Sequence, residues 1–136
     1  MADITITAAN VLSSVAQSAK NGIAGVAITA GQALYKDPSD GTLKLCDSNG
    51  TSPAYVFLGI SLNGAAIGQP VAYVSADPAF AIGGTVAAGA TVCVSSNPGG
   101  LCPDADVVTG DFKTIVGVGI GSNKINMSPI SAGVAT

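Results

Sequence analysis

The side chains in this 136-residue sequence that could do acid–base, nucleophilic or metal chemistry are three cysteines, eight aspartates and five lysines, besides hydroxyls and phenols. His, Arg, Glu and Trp are absent. The commonest general acid–base group is therefore missing. So are the commonest metal ligand and the bidentate reader of phosphate and carboxylate. The aspartates fall in turns, Asp37 with Asp40 and Asp104 with Asp106. A calcium loop wants several carboxylates alternating around a fixed Gly. This spacing better suits Asp that accept hydrogen bonds from their own turns. Cys93 and Cys102 are equidistant from Asn97-Pro98, so a hairpin there sets them face to face. A small apolar pair is the expectation, and a bridge in oxidising buffer the alternative. No Ser, Lys or Asp has a neighbour that would activate it as a nucleophile.

Two glycine-rich stretches resemble cofactor loops. Asn97-Pro98-Gly99-Gly100 lacks the Lys and Ser/Thr of a phosphate loop and precedes no helix. Gly117-Val118-Gly119-Ile120-Gly121 lies in a β context without the helix that a dinucleotide fingerprint requires. Both read as β-structure, and no catalytic residue, cofactor or metal is expected.

These residues need a scaffold, and the chain shows one by repeating itself. Ile28-Thr29-Ala30-Gly31-Gln32-Ala33-Leu34-Tyr35 leads to a turn at Asp37-Pro38-Ser39-Asp40-Gly41 and returns through Leu43-Lys44-Leu45. Fifty-eight residues on stand Val86-Ala87-Ala88-Gly89-Ala90-Thr91-Val92-Cys93, a turn through Asn97-Pro98-Gly99, and Leu101. The register carries on to Leu58-Gly59-Ile60-Ser61-Leu62 and Val116-Gly117-Val118-Gly119-Ile120. Internal similarity at a fixed spacing points to a repeated structural unit. Gly41 and Gly99 should be equivalent, each with a positive φ.

The length fits one domain. Hydrophobic residues make up 48% and charged residues 10%, and much of the apolar share is Ala and Val. Lacking Glu and Arg, the chain also lacks favoured helix-surface residues. Turn signals around short β-branched runs argue for an all-β sandwich or barrel. Gly59, Gly117 and Gly119 suggest bulges or bends within strands. The net charge of −3 with no basic patch makes nucleic acid an unexpected partner. The uncharged run from Pro78 to Pro103 is too interrupted by Gly and small polar residues to span a membrane. An odd cysteine count and an N-terminus without a signal-peptide pattern suggest folding in a reducing cytoplasm.

Taken in order, Asp3-Ile4-Thr5-Ile6-Thr7 alternates like a short strand. Residues 8–24 are small, polar and weakly patterned, so 1–24 is expected to be an extended arm. One β domain follows over 25–129, in units at about 25–75 and 79–129. Tyr55 to Ile60 reads as the most buried strand, and 130–136 as a tail. Within the arm, Ile4, Ile6, Val11, Leu12 and Val15 are the apolar candidates for an interface with a partner.

In its order of motifs the chain resembles small proteins encoded beside the major capsid gene of tailed bacteriophages. The resemblance runs through Ala2-Asp3-Ile4-Thr5-Ile6-Thr7-Ala8-Ala9-Asn10-Val11, Ile28 to Tyr35, Gly59-Ile60-Ser61-Leu62-Asn63-Gly64, Gly68-Gln69-Pro70-Val71 and Asn97-Pro98-Gly99-Gly100-Leu101-Cys102-Pro103. It implies a capsid cement, or decoration, protein: a structural β-protein made in the bacterial cytoplasm and bound to the outside of the virion shell. The implied partners are the major capsid protein and the protein itself, as a homodimer or less favourably a trimer. The expected fold is thus a compact sandwich or barrel, jelly-roll-like, of two similar β-units with an N-terminal arm. The competing reading is a surface β-domain that binds carbohydrate or a host surface, though Tyr35, Tyr55 and Tyr73 supply few stacking platforms.

Overall fold

The computed structural model describes residues 3–15, 19–50 and 53–135, with backbone alone at 133 and 135. Its strands are β1 (Val11–Leu12), β2 (Lys20–Ile23), β3 (Ala33–Lys36), β4 (Leu43–Leu45), β5 (Gly59–Ser61), β6 (Pro70–Val74), β7 (Asp77–Ile82), β8 (Thr91–Val94), β9 (Leu101–Pro103), β10 (Phe112–Gly121) and β11 (Lys124–Ala135). Among the described residues there are also two 3-10 turns, Ala8–Asn10 and Asp104–Asp106. The fold is all-β, as the turn spacing predicts.

The strands form two antiparallel sheets. One runs β2-β6-β5-β3-β4, and the other β1-β7-β11-β10-β8-β9. Replacing β2–β6 by β7–β11 in the first order gives the second, with β1 added at one edge. The pairing register repeats as well. Tyr35 opposes Lys44 as Cys93 opposes Cys102, and Leu34 opposes Gly59 as Val92 opposes Gly117. Gly41 and Gly99 end their hairpins with φ of 73° and 79°. The two units are copies of one design, as the sequence repeat implies. They part after β5. Residues 62–69 connect β5 to β6, whereas Ser122-Asn123 alone turn β10 into β11.

The first sheet curls until its edges meet. Ala24, just past β2, bridges Leu43 in β4, and Gly25 N–H donates to the Leu43 carbonyl at 2.8 Å. Gly22 permits this approach, because a Cβ there would stand 2.7 Å from Leu43 Cδ1. Alternate faces of this sheet then feed two cores, following the period-two geometry of strands. Ala33, Ile60 and Val74 join Phe80, Ile82, Val92, Val94, Leu101, Val116, Ile125 and Met127 between the sheets. Leu34, Leu43, Val71 and Tyr73 pack with Ala24 and Ile28 inside the curl.

Several expectations need correction. Residues 3–7 are extended but join no sheet. Ile4 N–H donates to Leu101 O at 2.8 Å and Thr7 N–H to Gly83 O at 2.8 Å, so the segment is tied at one end to the first residue of β9 and at the other to the turn after β7, without pairing along either. The expected arm 1–24 contributes β1 and β2 to the two sheets; its residues 1–2 and 16–18 lie outside the described residues. The buried strand expected from Tyr55 begins only at Gly59. Tyr55 instead lies in a turn and stacks on Phe112 with ring centroids 3.8 Å apart, while Val56 is exposed. The expected tail is the far half of β11, paired with β10 through Ile130↔Ile115 and Ser131↔Thr114. β7 reaches only as far as Met127, so Pro129 lies where β11 has become an edge, a position that tolerates a missing N–H.

Candidate functional site

The titratable groups do not gather. Asp37 and Asp40 share one hairpin with Lys44, whose Nζ lies 2.6 Å from Asp37 Oδ2. That ammonium, with bonds from Ser39, holds the Asp37 carboxyl down at about 2. Asp104 pairs with Lys113 at the far end of the second sheet. Cys46, Cys93 and Cys102 are all buried free thiols. Burial pushes Cys46 and Cys102 up to about 12 and, with the charge of Asp104, Cys93 to about 11. Thiols so disfavoured as thiolates are poor nucleophiles. Cys93 and Cys102 do oppose each other across β8 and β9. Among the described residues no group of three His, Cys, Asp or Glu could hold a metal ion, and no helix is long and apolar enough to cross a membrane.

Two carboxylates instead fasten the N-terminal segment. Asp77, 1% exposed at the start of β7, accepts bonds from Ser13 Oγ and Ser14 N at 2.8 Å each, from Ala79 N at 2.9 Å, and from the Ser14 hydroxyl. Burial pushes its carboxyl up, but those bonds outweigh it and hold the group below its ordinary 3.8. Asp3 accepts from Ser95 Oγ at 2.6 Å and Asn97 Nδ2 at 3.1 Å. Neither clamp is visible in the sequence, since Asp77 and Ser14 are 63 positions apart.

The five interface candidates divide accordingly. Ile4, Ile6, Val11 and Val15 are half-buried against the protein's own core. Gly31, Gly83 and Gly84 make room for them, and a Cβ on Gly31 would meet Ile6 Cγ2 at 2.7 Å. Only Leu12, 67% exposed, faces outward. The reason is the alternation of β1, which sends Val11 in and Leu12 out.

Leu12 has company that the sequence reading missed. Leu12 aligns with Ala81, and Ala81 with Lys124, across β1, β7 and β11. On the same outer face of the second sheet β10 presents Val118 and Ile120, and β11 presents Ile130 opposite the half-buried Ile115. Leu12, Val118, Ile120 and Ile130 are all exposed. A signal existed in the alternation of Gly117, Gly119 and Gly121 with Val118 and Ile120. Gly117 and Gly119 face inward, where Asn126 O and Ala87 O approach them too closely for any Cβ. The large side chains are therefore turned out, inverting the usual pattern of a half-buried strand. An apolar face of this kind marks a contact surface more often than a catalytic one. No protein-family model, curated protein or solved structure matches the chain.

Proposed function

We propose that this protein is a structural component of a virion, bound to the outer surface of an icosahedral phage capsid and stabilising it. The observation that carries the reading is the outer face of the second sheet. Leu12, Val118, Ile120 and Ile130 stand exposed there, in a chain of which only 10% is charged. The resemblance of its motif order to capsid cement proteins supports the major capsid protein as the surface it covers. Burying a large aliphatic side chain contributes about 1.5–3 kcal/mol. Four such residues suffice for a weak contact, which copies spread over a symmetric shell would reinforce by avidity. Low net charge lets those copies sit close together with little repulsion. A protein that binds only the assembled shell stabilises it by mass action. Neighbouring copies touch one another as homo-oligomers, with two-fold pairing preferred.

The test is cosedimentation with shells assembled from the major capsid protein of the same phage. Wild-type protein should pellet with shells and saturate at a fixed copy number. The double variant Ile120→Lys, Ile130→Lys should remain in the supernatant while keeping its folded spectrum. Equal pelleting of both proteins, or of neither, rejects this surface as the anchor.

A further inference from the structure

A second surface is built from a different chemistry. Where the N-terminal segment crosses the end of β7, it leaves an open cleft of about 540 Å³. It is lined by Thr5, Thr7 and Asn10 of that segment, by Ala81, Gly83, Gly84 and Thr85 at and beyond the end of β7, and by Ser122 and Asn123 of the β10–β11 turn. That volume falls within the range of roughly 300–1,000 Å³ typical of small-molecule sites. We propose that this cleft binds a neutral, hydroxyl-rich ligand of the sugar or polyol class, a role separate from shell attachment.

The lining selects the class. It contains no Lys or Asp, so nothing there attracts an anion or a cation by charge. It also has no aromatic or large aliphatic side chain, which disfavours an apolar guest. Hydroxyls and carboxamides each donate and accept, which matches the paired donor and acceptor character of vicinal hydroxyl groups. Among the described residues, the side chains of Thr5, Thr7, Asn10, Thr85 and Ser122 make no intramolecular hydrogen bond, leaving that capacity open toward the cleft.

The walls are also held in place. Thr7 N–H donates to Gly83 O at 2.8 Å, and a Cβ on Gly83 or Gly84 would come within 2.6 Å of Thr7 O or 2.5 Å of Thr5 O. Glycine at both positions lets the segment lie flat along the cleft. In the β10–β11 turn, Asn123 Oδ1 accepts from Val86 N–H at 3.2 Å, which ties that turn to the chain beyond β7 and leaves the amide donors free. Ser122 and Asn123 have φ of 55° and 57°, the left-handed conformation that Gly adopts without cost. A two-residue hairpin of this kind favours Asn-Gly. Here both positions keep polar side chains at a conformational cost, and both line the cleft. Preorganised walls lower the ordering cost of binding. Without an aromatic platform, a single site should bind at roughly millimolar Kd.

Amide NMR titration of the full chain tests the assignment. The probes are glucose and N-acetylglucosamine, glucuronate, inorganic phosphate, and a purified neutral bacterial surface polysaccharide. A neutral sugar should shift the amides of Gly84, Thr85, Ser122 and Asn123 saturably, and glucuronate and phosphate should not. Asn10→Ala with Thr85→Val should weaken the response at least several-fold, while amides elsewhere keep their wild-type positions. Tighter response to the polysaccharide places the natural ligand on a cell surface, and equal response per sugar unit indicates a free saccharide. Absence of saturable shifts at these amides with every neutral probe, or equal shifts with phosphate, overturns the proposal. The proposed shell contact is read out separately through Ile120 and Ile130, which do not line the cleft.

Discussion

Ser14 donates two hydrogen bonds to the Asp77 carboxylate, one from its backbone N–H at 2.8 Å and one from its hydroxyl. This joins the N-terminal segment to the first residue of β7 and, with Ser13, converts an expected free arm into part of the body. Asp77→Ala should therefore lower stability by about 2–4 kcal/mol, the scale of one or two hydrogen bonds to a charged group. Urea unfolding midpoints measure it. A loss below about 0.5 kcal/mol, the level of an ordinary surface change, would mean that the segment is not held by this carboxylate.

The bonds to Asp77, and those of Lys44 and Ser39 to Asp37, set an acid limit. The folded-state pKa of Asp77 lies below 3.8 and that of Asp37 is about 2. A depressed folded pKa contributes stability that is present above the unfolded value and lost as pH falls through the folded one. Melting temperature should therefore fall as pH drops from about 4 toward 2. Asp77→Asn should flatten part of that slope. A wild-type melting temperature unchanged from pH 5 to pH 2.5 would contradict this assignment.

Removing residues 1–15 should destabilise the fold. Ile4, Ile6, Val11 and Val15 cover the core between the sheets. At about 1 kcal/mol for each half-buried side chain, the gross loss is on the order of 4 kcal/mol before the released chain entropy offsets part of it. Thermal melts of full-length and shortened protein decide the matter. An equal melting temperature would show that the segment is dispensable.

The hairpin glycines should differ despite their equivalence. Both have positive φ, but a Cβ at Gly41 meets nothing within 4 Å, whereas one at Gly99 stands 3.0 Å from Leu45 Cδ2 and 3.3 Å from Gln32. Gly41→Val should cost roughly 1–2 kcal/mol from backbone strain alone. Gly99→Val should cost more, because packing adds to strain. Equal costs would mean that the Gln32 and Leu45 side chains move aside freely.

Local chemistry made much of this legible. Asp-Pro-Ser-Asp-Gly and Asn-Pro-Gly-Gly wrote the hairpins, and their constant spacing revealed the duplication that both sheets share. Strand ends were harder. Tyr55 to Leu58 is as apolar as a strand, yet Tyr55 satisfies its ring by stacking on Phe112, a partner that no local pattern reveals. The N-terminal segment was misread for a related reason. Its few apolar groups are too sparse to form a core of their own, but enough to complete one built by distant strands. The outer face was hidden because period-two alternation does not say which face is the core. Gly117 and Gly119 took the inner positions through close backbone approaches that only the folded chain displays.

If the protein stabilises a shell by binding its outside, as we propose, heating shells with and without it will show the gain. Shells carrying saturating wild-type protein should disassemble at a higher temperature than bare shells, by an amount that grows with protein concentration. Because the proposed contact is apolar, the gain should survive added salt that screens exposed charges. The variant Ile120→Lys, Ile130→Lys should give no gain. Shells that bind the protein in fixed number and still disassemble at the bare-shell temperature would contradict the account.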